Sequence, residues 1–308
     1  MDILFLKPIF KERIWGGTEL NKVFGYDIPF EHTGECWAIS AHPHGESIVT
    51  KGPFKGYKLS EVYQTHRELF NKIKNPLFPL LTKILDANDD LSVQVHPNDL
   101  YAKKFEKDLG KTECWYILSA EENSYIIYGH QAKSKIELKN MIENNQWNEL
   151  LIKKPVKTGD FIYVPAGTIH AIGKGVLILE TQQSSDTTYR VYDFDRLGTD
   201  GKPRELHINP SIEVTTVPHQ DYKVEKEVKK INTHTFTRFV SNNFFTVEKW
   251  EIDGLLEIPS NHYKLVSVID GQGEINGQKI AKGDHFIITA LEKRIKLEGK
   301  LELIVSWT

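Results

Sequence analysis

Short runs rich in Val, Ile, Tyr, Phe and Trp, each cut off by glycine, proline or a polar turn former, limit the fold more than any other feature of this chain. "ECWAIS", "LSVQV", "ECWYILS", "SYIIYG", "DFIYVP", "GVLILE" and "YRVYDFD" follow one another between residues 35 and 195. Such runs read as strands, and strands at this density build a mainly antiparallel sandwich or barrel. Two stretches depart from the pattern. "LSEVYQTHRELFNKI" and "SKIELKNMIENNQWNELLI" space their apolar residues at roughly helical intervals, and the second opens on Ser134, a candidate N-cap. They predict helical insertions over about 59–74 and 134–152 in an otherwise β core.

A chain of 308 residues accommodates two domains. "PHQDYKVEKEVKKINTHT", residues 218–235, is charged and poor in large apolar side chains, which predicts an exposed connection and a division into domains 1–220 and 221–308. Beyond it, "FFTVEKWEI", "YKLVSVI", "HFIITA" and "LELIVSW" predict an all-β second domain. The glycines of "DGQGEINGQ" suit a hairpin better than a nucleotide-binding loop, because no helix follows.

A net charge of −3 lacks the basic excess that a phosphate backbone demands, so nucleic acid is excluded as a partner. The N-terminal "MDILFLKPIF" carries an acid at position two and no basic leader, and the chain contains no apolar run approaching 18 residues. The expectation is a cytoplasmic protein without a membrane span. Cys36 and Cys114, the only cysteines, each sit inside Glu-Cys-Trp and read as two buried free thiols.

Chemistry concentrates in three places. In "LSVQVHPND", Gln94 and His96 share one face of a strand while Val93 and Val95 take the other, and Pro97 ends the ladder. In "GKTECWYIL", Lys111 and Glu113 repeat the same spacing, and "TGDFIYVPAGTIHAIG" delivers His170 after a strand and a tight turn. Nitrogen and oxygen donors entering from separate β segments can converge on one divalent ion, and zinc accepts imidazole, carboxylate and amide oxygen. "TGECWAISAHPHG" offers a rival set in Glu35, His42 and His44, but Pro43 and Gly45 make that stretch a turn, so Glu113 is the expected ligand and Glu35 a structural or pocket-edge residue. The third cluster, "LETQQSSDTTYRVYDFDR", crowds Glu180, Asp186 and Arg190 together. Arg190 lies between aromatic and apolar residues, and a buried Arg there calls for Asp186, Glu180 or a substrate phosphate as its counter-ion.

The pattern from Gly159 to His170 resembles the second conserved motif of the cupin barrels, and Gln-x-His followed by Glu resembles the first. More specifically, "KERIWGG", "TGECWA", "FPLLTKILDANDDLSVQVHPND", "GKTECWYI", "GDFIYVPAGTIHAIGKG" and "ETQQSSDTTYRVYDFDR" occur in the order of the type I phosphomannose isomerases in their short bacterial form. The resemblance covers roughly residues 5 to 215 and continues more loosely into the second half. It implies two cupin-like, jelly-roll β-barrels and interconversion of mannose 6-phosphate and fructose 6-phosphate. It also implies one zinc ion per chain, held by Gln94, His96, Glu113 and His170, with Arg190 and Lys111 as catalytic residues and Glu180 and Asp186 against the substrate. Longer members carry His immediately before the lysine, whereas this chain has Gly110. Moving a proton between C1 and C2 through a cis-enediol needs a base, and the sequence leaves Lys111, Glu180 and Asp186 open for that role. Another metal-dependent cupin acting on a sugar phosphate, or a carbohydrate-binding cupin without turnover, are the alternatives. His262 and His285 have no partner at ligand spacing, so the second barrel is expected to be metal-free.

Overall fold

The structure, a computed structural model, describes residues 3–198 and 200–308. It is mainly β. Strands Phe161–Val164, Glu113–Ala120, Val176–Gln183, Leu80–Ala87, Thr33–Ile39 and Ile9–Gly17 pair in that order into an antiparallel six-stranded sheet. Facing it is a five-stranded antiparallel sheet, ordered Leu151–Pro155, Tyr125–His130, His170–Ile172, Val93–Val95 and Tyr189–Tyr192. Side-chain alternation sorts the residues between layers. Leu85, Trp115, Ile117 and Ile178 from the first sheet meet Ile126, Tyr128 and Ile172 from the second, and this apolar filling forms the floor beneath the polar residues described below.

The outer faces are covered as well, which is why these strands read as nearly continuous apolar runs. Behind the six-stranded sheet, Cys36, Ile84, Cys114, Leu177 and Leu179 pack into one core with Phe239, Phe245 and Ile304 of the C-terminal segment. Both thiols are buried and free. Behind the five-stranded sheet, Val93, Val95, Ile127, Ala171 and Val191 pack on Leu138, Ile142 and Leu150. Those three come from helices Lys135–Glu143 and Trp147–Leu150, and burying each contributes about 1.5–3 kcal/mol.

The expected insertion over 134–152 is thus two helices. The Ser134 side chain accepts from the backbone N–H of Glu137 at 3.1 Å, and Asn145 interrupts the element with a φ of 54°. The one expected over 59–74 is helix Leu59–Thr65 followed by a 3-10 turn, Arg67–Phe70, stopped by Asn71 and Lys72 at φ 56° and 53°. Helices Glu19–Phe24, Asp99–Phe105 and Ile208–Val214 escape the sequence reading.

The C-terminal strands form a nine-stranded antiparallel sheet whose spine is the pair Thr246–Pro259 and Arg294–Trp307, in register over 14 residues. Residues from one face of it, among them Trp250, Ile252, Val268, Phe286, Leu297 and Val305, form a single cluster, which requires the sheet to curve around them. Strand Ile3–Lys7 also belongs to this sheet, paired with His285–Ile288, and Ile48–Val49 extends its edge. Ile3 and Phe5 fill the C-terminal core while Leu4 and Leu6 fill the shared one, so the first strand ties the two halves together. Asn276 and Gly277, at φ 48° and 75°, turn strand Lys264–Ile275 into Gln278–Ala281, the hairpin expected from "DGQGEINGQ". Among the described residues no helix is long and apolar enough to cross a membrane.

Candidate metal centre

Register brings the first group of site residues together. Gln94 pairs directly with His170 on one neighbouring strand and with Arg190 on the other, so the three stand in a row across the five-stranded sheet. His96 follows just past the end of Val93–Val95, where the chain turns at Pro97 into helix Asp99–Phe105, capped by Asn98 through a 3.0 Å bond from the backbone N–H of Tyr101. Glu113 enters from the facing sheet.

The two imidazoles are held in one tautomer. His96 Nδ1 lies 2.9 Å from the Thr187 carbonyl and His170 Nδ1 lies 2.9 Å from the Thr168 carbonyl. A carbonyl can only accept, so each Nδ1 carries the proton and each Nε2 presents a lone pair inward. His96 Nε2 is 3.4 Å from Glu113 Oε2, and His170 Nε2 is 3.3 Å from Glu113 Oε1. Two ligands of a tetrahedral ion with bonds of about 2.1 Å stand about 3.4 Å apart. His170 Nε2 and Glu113 Oε2 are buried without a hydrogen-bond partner of normal geometry. The lone pair of His170 Nε2 has no partner in this dry site, and those of Glu113 Oε2 and His96 Nε2 meet only the Lys111 ammonium, at 3.0 and 3.1 Å, so the donors converge on a point that suits a cation and the residues fit a divalent metal. Among the described residues His96, Glu113 and His170 are the one cluster able to do so.

Electrostatics keep the donors in their ligating states. Burial, and then the Lys111 ammonium, pushes His96 down to about 3, and burial lowers His170. Burial opposes the charge on Glu113, but Lys111 and the two imidazoles hold its carboxyl well below the usual range. Lys111 Nζ stands 3.0 Å from Glu113 Oε2 and 3.1 Å from His96 Nε2. Although burial disfavours its charge, Glu113 and Glu180 keep the Lys111 ammonium above its ordinary value.

The glycine before Lys111 has a steric reason. A Cβ at Gly110 would fall 2.4 Å from the Asp99 backbone nitrogen, where the loop packs against the start of helix Asp99–Phe105. The Gly110 N–H donates to Asp99 Oδ1 at 2.8 Å and the Lys111 N–H to the Pro97 carbonyl at 3.0 Å, which fixes Lys111 beside His96.

A cavity of about 340 Å³ adjoins the cluster, lined by Gln94, Lys111, Glu180, Asp186 and Arg190 from the predicted set; His96, Glu113 and His170 lie behind its wall, with Lys111 between. Burial, and then Glu113, raises the Glu180 carboxyl to about 7; its Oε2 accepts from Trp115 Nε1 at 3.1 Å and its Oε1 has no partner. Burial also works against ionisation of Asp186, but Lys83 and His44, at 3.7 and 3.0 Å, hold its carboxyl below the usual range. Arg190 does not find either carboxylate that the sequence offered it. One terminal nitrogen donates to the Glu205 carbonyl at 2.7 Å, its Nε is buried and unpaired, and among the described residues no carboxylate bridges it.

Arg13, Lys83 and Arg204 also line the cavity and were not singled out as site residues. Arg13 grips Glu35 through two nitrogens at 3.1 and 3.0 Å, and Arg204 grips Asp193 at 2.7 and 2.6 Å, so both are neutralised. Lys83 had a readable signal, a lone cation in the apolar run "LLTKILDA". Glu35 stands at the pocket edge and accepts from Trp37 Nε1 at 2.7 Å, while His44 is committed to Asp186, so the rival set does not assemble.

A β-sandwich that aims two imidazoles and a carboxylate from facing sheets at one point, beside a charged cavity, is a metal-capable cupin. Residues 3–125 match the family description "Phosphomannose isomerase type I, catalytic domain" and residues 235–308 match "Mannose-6-phosphate isomerase, cupin domain". The chain is 54% identical to the mannose-6-phosphate isomerase of Streptococcus mutans, over 98% of this chain and 97% of that one. It is 52% identical to mannose-6-phosphate isomerase ManA of Bacillus subtilis, over 98% of each. A crystal structure of mannose 6-phosphate isomerase from Bacillus subtilis superposes with a TM-score of 0.98 at 49% identity, covering 100% of both chains. The chain belongs to the type I phosphomannose isomerase family.

Proposed function

We propose that the protein interconverts mannose 6-phosphate and fructose 6-phosphate through a cis-enediol, with a zinc ion held by His96, Glu113, His170 and Gln94. The observation that carries the reading is the buried His96–Glu113–His170 cluster, its donors converging on one point, joined through Lys111 to a cavity whose Arg190 lacks a carboxylate partner among the described residues. Full-length relatives named mannose-6-phosphate isomerase support the substrate.

When bound, the metal supplies Lewis-acid polarisation of the sugar oxygens. Arg190, always protonated, meets the anionic charge of the substrate or of the enediolate. Lys111 stays an ammonium and donates rather than accepts, because carboxylates surround it. Glu180, whose carboxyl burial pushes up and whose Oε1 faces no partner, is the group best placed to exchange the C1/C2 proton. Lys83 keeps Asp186 ionised, able to accept from sugar hydroxyls. The Trp15 and Leu91 side chains give the cavity an apolar wall.

A coupled assay feeding mannose 6-phosphate and reading fructose 6-phosphate tests the proposal. Product is expected in the presence of zinc; its absence from protein with confirmed bound metal sinks the isomerase reading.

A further inference from the structure

The curved C-terminal sheet has a cavity of its own, about 530 Å³. Its wall is one face of the nine-stranded sheet: Phe236 and Arg238 pair across strands with Trp250 and Glu248, and Lys264 and Trp307 close the rim. Glu248 and Trp250 repeat a device of the catalytic pocket. Trp250 Nε1 donates to Glu248 at 2.7 Å as Trp115 Nε1 donates to Glu113 at 3.1 Å, each indole reaching back two residues to a carboxylate on its own strand. The surroundings differ. Where Glu113 faces two imidazoles, Glu248 faces the guanidinium of Arg238, with Nε at 2.9 Å, and Arg238 in turn reaches Glu227 at 3.2 Å.

Lys264 is left over from this pairing. It is only 9% exposed, and among the described residues its ammonium makes no hydrogen bond or ion pair and contacts aromatic rings alone. Nζ instead lies 3.7 Å from the centre of the Trp307 ring and 5.9 Å from that of Trp250. A largely buried ammonium that touches only aromatic faces, with the Glu248 charge already taken up by Arg238, is costly, and an anion in the cavity relieves that cost. Burial lowers this ammonium to about 8, partly offset by Glu248, so it remains mostly charged at neutral pH. Lacking imidazoles, the cavity does not suit a metal ion; it offers the Lys264 cation and, beside it, the partly exposed Trp307 indole for the C–H face of a sugar.

We propose that this cavity is a second ligand site, which takes a monosaccharide phosphate with its phosphate on Lys264 and its ring against Trp307. The site is separate from the metal centre and does not depend on the reaction assigned there.

Titration calorimetry of the full-length protein with glucose 6-phosphate, followed in parallel by tryptophan fluorescence, tests the assignment. Arg190→Ala is expected to keep a binding event that Lys264→Gln weakens tenfold or more, the loss of one charge-assisted bond, while Lys264→Gln leaves isomerase turnover unchanged. Trp307→Leu provides an independent arm with the same expected loss, and it decides the matter where Lys264→Gln fails to fold. Binding that disappears entirely with Arg190→Ala and is untouched by Lys264→Gln or Trp307→Leu overturns the proposal. Inorganic phosphate binding there as tightly as the sugar phosphate overturns the assignment to a sugar.

Discussion

Arg190→Ala separates the two roles open to this guanidinium. The side chain projects from strand Tyr189–Tyr192 beside Gln94, donates to the Glu205 carbonyl at 2.7 Å and has no carboxylate partner among the described residues. Its truncation therefore leaves no buried carboxylate unpaired, and the loss measured is that of substrate contacts. One hydrogen bond from a charged group is worth roughly 1.5–3 kcal/mol, about 10- to 150-fold in kcat/KM. A bond to the substrate phosphate, made equally in ground and transition states, appears in KM with kcat nearly intact. A bond to the developing enediolate appears in kcat, at about 100-fold or more. Steady-state kinetics on metal-replete protein give the split, and metal analysis is expected to show the ion retained. Arg204→Ala is the control, because Arg204 is spent on Asp193 at 2.7 and 2.6 Å; it should cost stability more than turnover. A kcat/KM for Arg190→Ala within twofold of the parent refutes the assignment.

His96→Ala and His170→Ala are each expected to lose metal and at least 100-fold in activity, and metal analysis of the purified variants checks this. The duplicated Glu-Cys-Trp is resolved by changing each acid to Gln: Glu113→Gln should release metal, whereas Glu35→Gln should retain it and instead loosen Arg13. In metal-free protein, Glu180 has a carboxyl raised to about 7 from 4.5, so the folded state binds more protons than the unfolded one between those values. Stability from this group is complete below about pH 4.5 and falls as pH rises to about 7, by at most roughly 3 kcal/mol. Glu180→Gln should remove that decline, read as Tm against pH for both proteins after chelation. Gly110→Ala pushes a Cβ against the Asp99 nitrogen at 2.4 Å, and urea unfolding should show a loss of about 1–3 kcal/mol.

What the sequence made legible follows the strength of each local signal. Period-two alternation placed Val93 and Val95 in the core behind the sheet and Gln94 in the cavity, because a strand has only two faces to choose between. His96, Glu113 and His170 could be gathered because each stands at or near a strand end marked by a turn former. Arg190 was recognised as half-buried from its neighbours, but its partner was not, since Glu205 reaches it through a loop carbonyl that carries no side-chain signature. Lys83 stood out as a lone cation in an apolar run, but what it meets is set by its pairing with Trp37 on another strand, and Arg13 is placed by its bonds to Glu35. The helix Asp99–Phe105 hid behind Pro97, although Asn98 followed by Asp99 is a start signal. Strand Ile3–Lys7 gave no hint of joining the C-terminal sheet, because a run buried on both faces fits any sheet interior. The recurring Trp-to-Glu bond at Glu35, Glu113 and Glu248 became visible only once the indole directions were known.

Titrating zinc into chelator-stripped protein while following conversion of mannose 6-phosphate to fructose 6-phosphate asks whether turnover depends on an ion at His96, Glu113 and His170. Negligible turnover without metal is expected, with a rise that levels off at about one zinc per chain. Undiminished turnover by the stripped protein, or none at any zinc level, contradicts a metal-dependent isomerase at that site.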